Sequence, residues 1–427
     1  MIFLFFSKIK SQAEKYFVNK DKDFTRNQAW TVVRLVQFNL CLIKQSTATE
    51  INNFFDKIDV APPTKQSFGV ARRKLKTKLF EDIFKQITKK YYILTNKANK
   101  AQYRIKAFDS TTVQVPDSQA NREIFGEYSN NTCTYASTKL CAYFDISHHL
   151  VSHLYLQNRT KSDTNCAMEA VDDLESKDIG VYDRGFGGHT LMWLHSHKSK
   201  NYIIRQIADS SNTIKNFVKS DENDIFITEY LNERVAKTLR ESGYLVSKES
   251  DKVSYRLVKI MLPTGEIEVL ATNVLDLTVA ELAVIYRLRW EIEVCFFYIK
   301  QVFGMAIFSG YDQTAIEQDI WSLFTFYNLQ SMFVNEANLT LEKTNQNKKN
   351  PYQINRAVGL NILKKDFQKL FVKGLENCNK ACNKLINKLL RHTERVKTTL
   401  ELGAERNKKL PKYNRHSTER NYKHNFG

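Results

Sequence analysis

The chain has 427 residues and a mass of 49.8 kDa, above the size at which one hydrophobic core stops growing, so two or three domains are expected. Its 64 Lys and Arg against 46 Asp and Glu leave a net charge of +18, a surplus that points to a polyanionic partner. Seven cysteines with no CxxC pair argue against a disulfide framework and fit a reducing cytoplasm; the opening MIFLFF is too short to span a bilayer, and no later run reaches that length.

Residues 1–100 read as a helical region that binds DNA. Trp30, Val33, Leu35, Val36, Phe38 and Leu40 recur at helical spacing, as do Val70, Leu75, Leu79, Phe80 and Ile83, and Pro62-Pro63-Thr64 breaks the pattern between helices. The following segment carries Lys65, Arg72, Arg73, Lys74, Lys76 and Lys78, the charge that a helix-turn-helix reader presents. A solvated basic face on a packing helix gives the same pattern.

From residue 101 the period becomes strand-like. RIKAFDSTTVQV (104–115), KLCAYFDIS (139–147) and LVSHLYLQ (150–157) read as strands, the last two joined as a hairpin across His148-His149. An amphipathic helix over 163–175, a strand IGVYD (179–183), a glycine-rich turn, a helix over 191–197 and a strand YIIRQ (202–206) follow. Three strands, helix, strand, helix, strand is the order of a ribonuclease-H-like sheet, so the fold class expected is α/β with such a core over 101–206 and 279–305. A β-rich insertion over 207–278 interrupts it, its latter half holding KVSYRLVKIML and EIEVLATN on either side of Pro263-Thr264-Gly265. A helical region over 306–402, with a polar linker near 342–350, and a basic tail over 403–427 complete the chain.

Three acids carry the chemistry. Asp109 sits in the strand frame Ala-Phe-Asp-Ser-Thr-Thr-Val, where a carboxylate is poorly solvated unless a cation faces it. Asp183 ends a strand in Val-Tyr-Asp-Arg-Gly-Phe-Gly-Gly, where glycines permit a tight turn and close approach of another backbone, although an Asp there could simply cap the next helix. On the helix over 279–302, Tyr286, Arg289, Glu293 and Lys300 share one arc of about 60°, beside an apolar face of Ile285, Leu288, Ile292, Phe296 and Ile299. Glu291 points about 160° away from Glu293 and is the weaker candidate. Two strand aspartates and a helix glutamate are the hard oxygen donors that two Mg²⁺ ions need for phosphoryl transfer, with Tyr286, Arg289 and Lys300 placed to hold DNA phosphates. No spacing of His189, His195 and His197 with Cys166 resembles a zinc site, and Cys378 and Cys382 read as packing residues.

These residues resemble the DDE transposases of bacterial insertion sequences, in the subgroup marked by Y-x2-R-x3-E-x6-K. Tyr286, Arg289, Glu293 and Lys300 match that signature at every spacing, and AFDSTTV and YDRGF match the family's frames for its first two acids. The resemblance covers about residues 105–302. It implies that Asp109, Asp183 and Glu293 are catalytic metal ligands for two Mg²⁺, with Mn²⁺ as a substitute. It further implies that Tyr286, Arg289 and Lys300 bind DNA, that the partners are element ends and target DNA met by a homodimer, and that the protein acts at the bacterial nucleoid. A structure-specific nuclease of the same fold and a non-catalytic DNA-binding descendant are the alternatives. One departure concerns the insertion, where family members that excise through a hairpin hold a flipped base with an aromatic, notably Trp. Here no Trp lies between residues 194 and 289, leaving Phe226, Tyr230, Tyr244 and Tyr255.

Overall fold

The computed structural model describes residues 13–26, 28–42, 45–95, 102–262, 265–346, 351–371 and 375–396. The MIFLFF segment, Pro263 and Thr264, part of the 342–350 linker and the basic tail lie outside them. Two compact units divide the chain, one drawn from Met1–Asn96, Gln114–Asn121 and Tyr298–Gly427, the other from Lys97–Val113 and Arg122–Phe297.

The second unit is built on a sheet. Its strands are β1 (Arg104–Gln114), β2 (Glu127–Ser129), β3 (Thr134–Asp145), β4 (Leu150–Asn158), β5 (Asp178–Tyr182), β6 (Asn201–Gln206), β7 (Asp224–Tyr230), β8 (Lys252–Met261) and β9 (Ile267–Thr272). They run in the order β2-β3-β1-β5-β6-β9-β8-β7, with β4 beside β3. The five core strands therefore lie third-second-first-fourth-fifth, the first three in a meander and the last two entering parallel through helical crossovers. This is the ribonuclease-H-like arrangement. Burial matches it, because β3 and β5 are covered on both faces and read as nearly continuous buried runs.

The stretch over 207–278, expected to be β-rich, is mixed. It contains helices Asn212–Lys219 and Glu233–Glu241 as well as β7–β9, and β9 pairs antiparallel with β6, so the inserted strands prolong the core sheet. Both helices are capped by side chains, Ser211 accepting from Ile214 N–H and Asn232 from Val235 N–H. These are signals that composition alone does not reveal. The helix expected over 279–302 is two helices, α1 (Val279–Leu288) and α2 (Trp290–Gln301), joined at Arg289.

The first unit is mainly helical. Helices Val32–Cys41, Thr47–Asp56, Lys65–Arg73 and Lys78–Thr95 are joined there by the long helix Gln313–Asn345, which continues through residues 342–345 where a linker was expected. The region expected to be helical over 306–402 is not helical throughout, since Tyr352–Ile354 and Thr393–Arg395 pair as a short antiparallel ribbon around helices Arg356–Asp366 and Leu375–Leu389. Of the basic residues placed in a DNA reader, Arg72 is buried and bonds Asp319 at 2.8 Å and Gln318 at 3.0 Å, while Arg73 pairs with Asp312 at 2.9 Å. Arg72 thus packs between helices, whereas Arg73 makes a surface pair and stays exposed.

An ion cluster fixes β1 against β5. Asp178 is fully buried and accepts from Arg104 at 2.7 Å and Lys106 at 2.8 Å, both of them also buried. Removing one partner of such a group strands the others in a low dielectric. Asp178→Ala should therefore lower the stability of this unit by about 3–5 kcal/mol in urea unfolding. A loss below about 1 kcal/mol, the range of an exposed pair, would mean that water solvates the cluster.

Candidate active site

Strand register brings two of the acids together. Ala107 pairs with Val181 in the parallel ladder, so continuing the register two residues sets Asp109 beside Asp183 at the carboxyl end of β5. Phe108 and Tyr182, the intervening residues, are fully buried with ring centroids 5.7 Å apart. Asp183 keeps extended backbone angles and its carboxylate makes no capping bond to the short 3₁₀ turn Arg184–Phe186 that follows. The capping explanation for this Asp is thereby removed. Gly187 then passes close to β6, where a Cβ would stand 3.1 Å from the Arg205 carbonyl oxygen.

The third acid arrives on α2, behind a well-defined helix start. Thr278 and Glu281 form a reciprocal capping box at the N-terminus of α1. Tyr286, near the end of α1, donates its hydroxyl to Asp183 Oδ1 at 3.2 Å. Arg289 at the junction donates Nη2 to Glu293 Oε1 at 2.7 Å, and its Nη1 lies 3.9 Å from Asp109 Oδ2. Tyr286 and Arg289 are both 7% exposed, so this polar stripe faces inward, and Leu288, expected on the buried face, is 42% exposed. A helix wheel treats 279–302 as one cylinder, whereas the break at Arg289 changes which residues face the sheet. Ile292, Phe296 and Ile299 are buried as expected.

Electrostatics follow from this crowding. Burial raises the Asp109 carboxyl to about 6, against the Ser110 N–H and Arg289, which favour its charge, while Glu293 and Asp183 push the same way as burial. Burial and the neighbouring Asp183 lift the Tyr286 phenol to about 12, so it remains a donor. Burial opposes the charge on Arg289, yet Tyr286, Glu293 and Asp183 together hold its pKa above the ordinary value. Its Nη1 is buried and makes no hydrogen bond.

The donor set suits a hard divalent cation, since all three acids offer carboxylate oxygens and Asp109 is short of compensating positive charge. The arrangement itself is not closed on an ion: among the described residues no three His, Cys, Asp or Glu side chains are grouped to hold one. Arg289 occupies the space between Asp109 and Glu293 in their place. Glu291 lies elsewhere, 3.8 Å from His149. Lys300 is half-buried on the last turn of α2, in the other compact unit.

Two features were not anticipated. Ser110, next to the first acid, donates to Asp163 Oδ1 at 2.7 Å, and Lys139 pairs with the same carboxylate at 2.8 Å, bracing β1 to β3 and to the start of helix Asp163–Ala170. Ser110 and Asp163 are 53 positions apart, and the sequence showed only the helix over 163–175. Beneath Asp183, Tyr182 links Tyr143 at 2.6 Å to His195 at 2.9 Å. Of the insertion's aromatics, Tyr255 is buried and donates to Glu229, Tyr244 packs on Trp193 and His197, and Phe226 and Tyr230 are exposed on the outer strand.

A family model described as the transposase DDE domain matches residues 100–329, more than half of the chain. No curated protein matches. Among solved structures, the chain is similar to a piggyBac transposase synaptic complex with hairpin DNA, at 9% identity over 88% of this chain and 82% of that one, TM-score 0.40. It is also similar to a Mos1 transposase paired-end complex with the left transposon end, at 13% identity over 54% and 76%, TM-score 0.18.

His195, fully buried, has its imidazole held at about 3 by burial, well below the ordinary value of about 6.5. The unfolded chain thus protonates first on acidification. His195 favours folding above about pH 6.5, and that contribution is lost as the pH falls from there towards 3, at up to about 1.4 kcal/mol per pH unit. His195→Gln should flatten the fall of unfolding free energy between pH 6.5 and 4.5 by that slope; an unchanged profile would show that His195 is protonated in the folded state.

Proposed function

The chain belongs to the transposase DDE-domain family, and from that premise we propose that it cuts DNA at the ends of an insertion sequence and joins the freed 3′-hydroxyls to target DNA. The observation that carries this reading is the convergence of Asp109 and Asp183, each two residues beyond the last paired position of β1 and β5, with Glu293 tied to the same place through Arg289. Asp109, Asp183 and Glu293 would hold two Mg²⁺ ions, Mn²⁺ being the expected substitute. When bound, these ions supply the Lewis acidity that activates the attacking oxygen and stabilises the leaving one.

The protein's own groups set the geometry. Tyr286 orients the Asp183 carboxylate through its hydroxyl, and the Ser110 N–H fixes one oxygen of Asp109 at 2.8 Å. The other oxygen of Asp109 lies 3.9 Å from Arg289 Nη1. Arg289 presents a planar fork suited to a phosphate beside the scissile bond, and Lys300, seven residues beyond Glu293 on α2, serves a neighbouring phosphate as a point charge. The surplus of +18 supports DNA as the partner, bound by a homodimer as transposition of two ends requires, in a bacterial cytoplasm. Among the described residues no helix is long and apolar enough to cross a membrane.

Asp109→Ala, Asp183→Ala and Glu293→Gln should each reduce metal-dependent cleavage by about a thousandfold or more while DNA binding measured without divalent metal stays within about twofold, and Glu291→Gln should leave both unchanged. Near-normal turnover in any of the three would break the assignment. A pre-cleaved end offered with target DNA separates a transposase, which joins them, from a nuclease, which does not.

Lys300→Ala should weaken binding of the cleaved end and slow joining, with the metal concentration for half activity at saturating DNA unchanged. A shift of the metal dependence as large as that of Glu293→Gln would place Lys300 among the metal-binding groups instead.

A further inference from the structure

Arg289 has too many acids and too few hydrogen bonds. It is 7% exposed, bonds Glu293 through Nη2 and leaves Nη1 buried, unbonded and 3.9 Å from Asp109. A guanidinium keeps its charge at any physiological pH, and an unsatisfied buried donor is costly. Nη1 therefore has no acceptor from the protein. The two carboxylates beside it keep partial access to solvent, Asp109 with 25% and Glu293 with 32% of their side chains exposed, so a ligand entering on the acid side meets the guanidinium.

We infer that Arg289 gates the metal site: without DNA its guanidinium occupies the position of a cation between Asp109 and Glu293, and a DNA phosphate draws it away so that the acids can close on metal. The inference rests on the assignment of the three acids as metal ligands. A guanidinium and a divalent ion compete for the same carboxylate oxygens. A phosphate oxygen gives Nη1 the acceptor it lacks, and the bidentate fork favours phosphate over one carboxylate oxygen. Releasing Glu293 then leaves three acids with no cation between them, and divalent metal is drawn in. DNA and metal would thus bind with positive coupling, and each would strengthen the other by one factor. Cutting would be confined to metal ions recruited on DNA.

The test is binding, not turnover. Mn²⁺ is titrated by electron paramagnetic resonance against the full-length protein, with and without a mixed-sequence blunt DNA duplex, using Asp109→Ala with the same duplex to subtract ions held by DNA itself. In the wild type the duplex should tighten Mn²⁺ binding by about tenfold or more, and Mn²⁺ should tighten duplex binding by the same factor. Arg289→Gln, and Arg289→Met with its apolar stem retained, should bind Mn²⁺ about tenfold tighter than the wild type without DNA, and the duplex should then add less than about twofold. Mn²⁺ binding that depends on Asp109 but is the same in the wild type and both Arg289 variants overturns the gate alone. Absence of coupling in the wild type overturns it without any variant. Mn²⁺ binding indifferent to Asp109→Ala overturns the metal assignment and the gate together.

Discussion

The parallel pairing of β1 with β5 is the constraint on which the site depends. At the amino end of the pair, Arg104 and Lys106 close on the buried Asp178, a charge cluster whose geometry tolerates no slip. A shift of one residue would carry the buried side of β1 to its other face. With that end fixed, the carboxyl end has no choice: Asp109 stands beside Asp183, and Phe108 and Tyr182 pack between the clamp and the acids. Charge cluster, aromatic layer and acid pair succeed one another along two strands. The part that stabilises the sheet also aims the site.

Placing three carboxylates around one spot is unfavourable unless positive charge joins them. In this protein that charge comes from the chain, through a single guanidinium held at the junction of two helices. The junction matters. A continuous helix would keep Tyr286, Arg289 and Glu293 on a partly solvated stripe, whereas the break turns Tyr286 and Arg289 inward and leaves Leu288 and Trp290 at the surface. Tyr286 meets Asp183 there, and Arg289 meets Glu293 while one of its nitrogens is left without a hydrogen bond. Such local disagreement between pattern and structure is expected where function outweighs stability.

The legible parts of the sequence were those with local signals. The strand runs around Asp109 and Asp183, the hairpin at His148-His149 and the spacing of Tyr286, Arg289 and Glu293 each sit within a few residues, and the structure brings these groups together. What was not legible depends on distance in sequence or on mixed signals. Arg72 looked like surface charge because its partners Gln318 and Asp319 lie more than 240 residues away. The Ser110–Asp163–Lys139 brace has the same cause. In the insertion, the helices Asn212–Lys219 and Glu233–Glu241 are short and highly polar, so polarity masked their amphipathic faces, while strand β7 half-exposes every second residue and reads as loop. The ribbon that interrupts the C-terminal helices is three residues per strand, too short for any periodicity to declare it.

The way the insertion joins the core bears on how this fold can be trimmed or diversified. Because β9 hydrogen-bonds along β6 and β8 and β7 continue outward, the core's fifth strand is an interior strand, with Tyr202, Ile203 and Ile204 fully covered. A shortened protein cut back to its five core strands would turn that hydrophobic ladder into an open edge, the kind of template on which chains pair with one another and precipitate. The segment between the second and third acids is thus a solubility element as much as an accessory, and its outermost strand is where nature or a designer can add or remove length: strand β7 already meets solvent with Asp224, Thr228 and the aromatic Phe226 and Tyr230 on its open face.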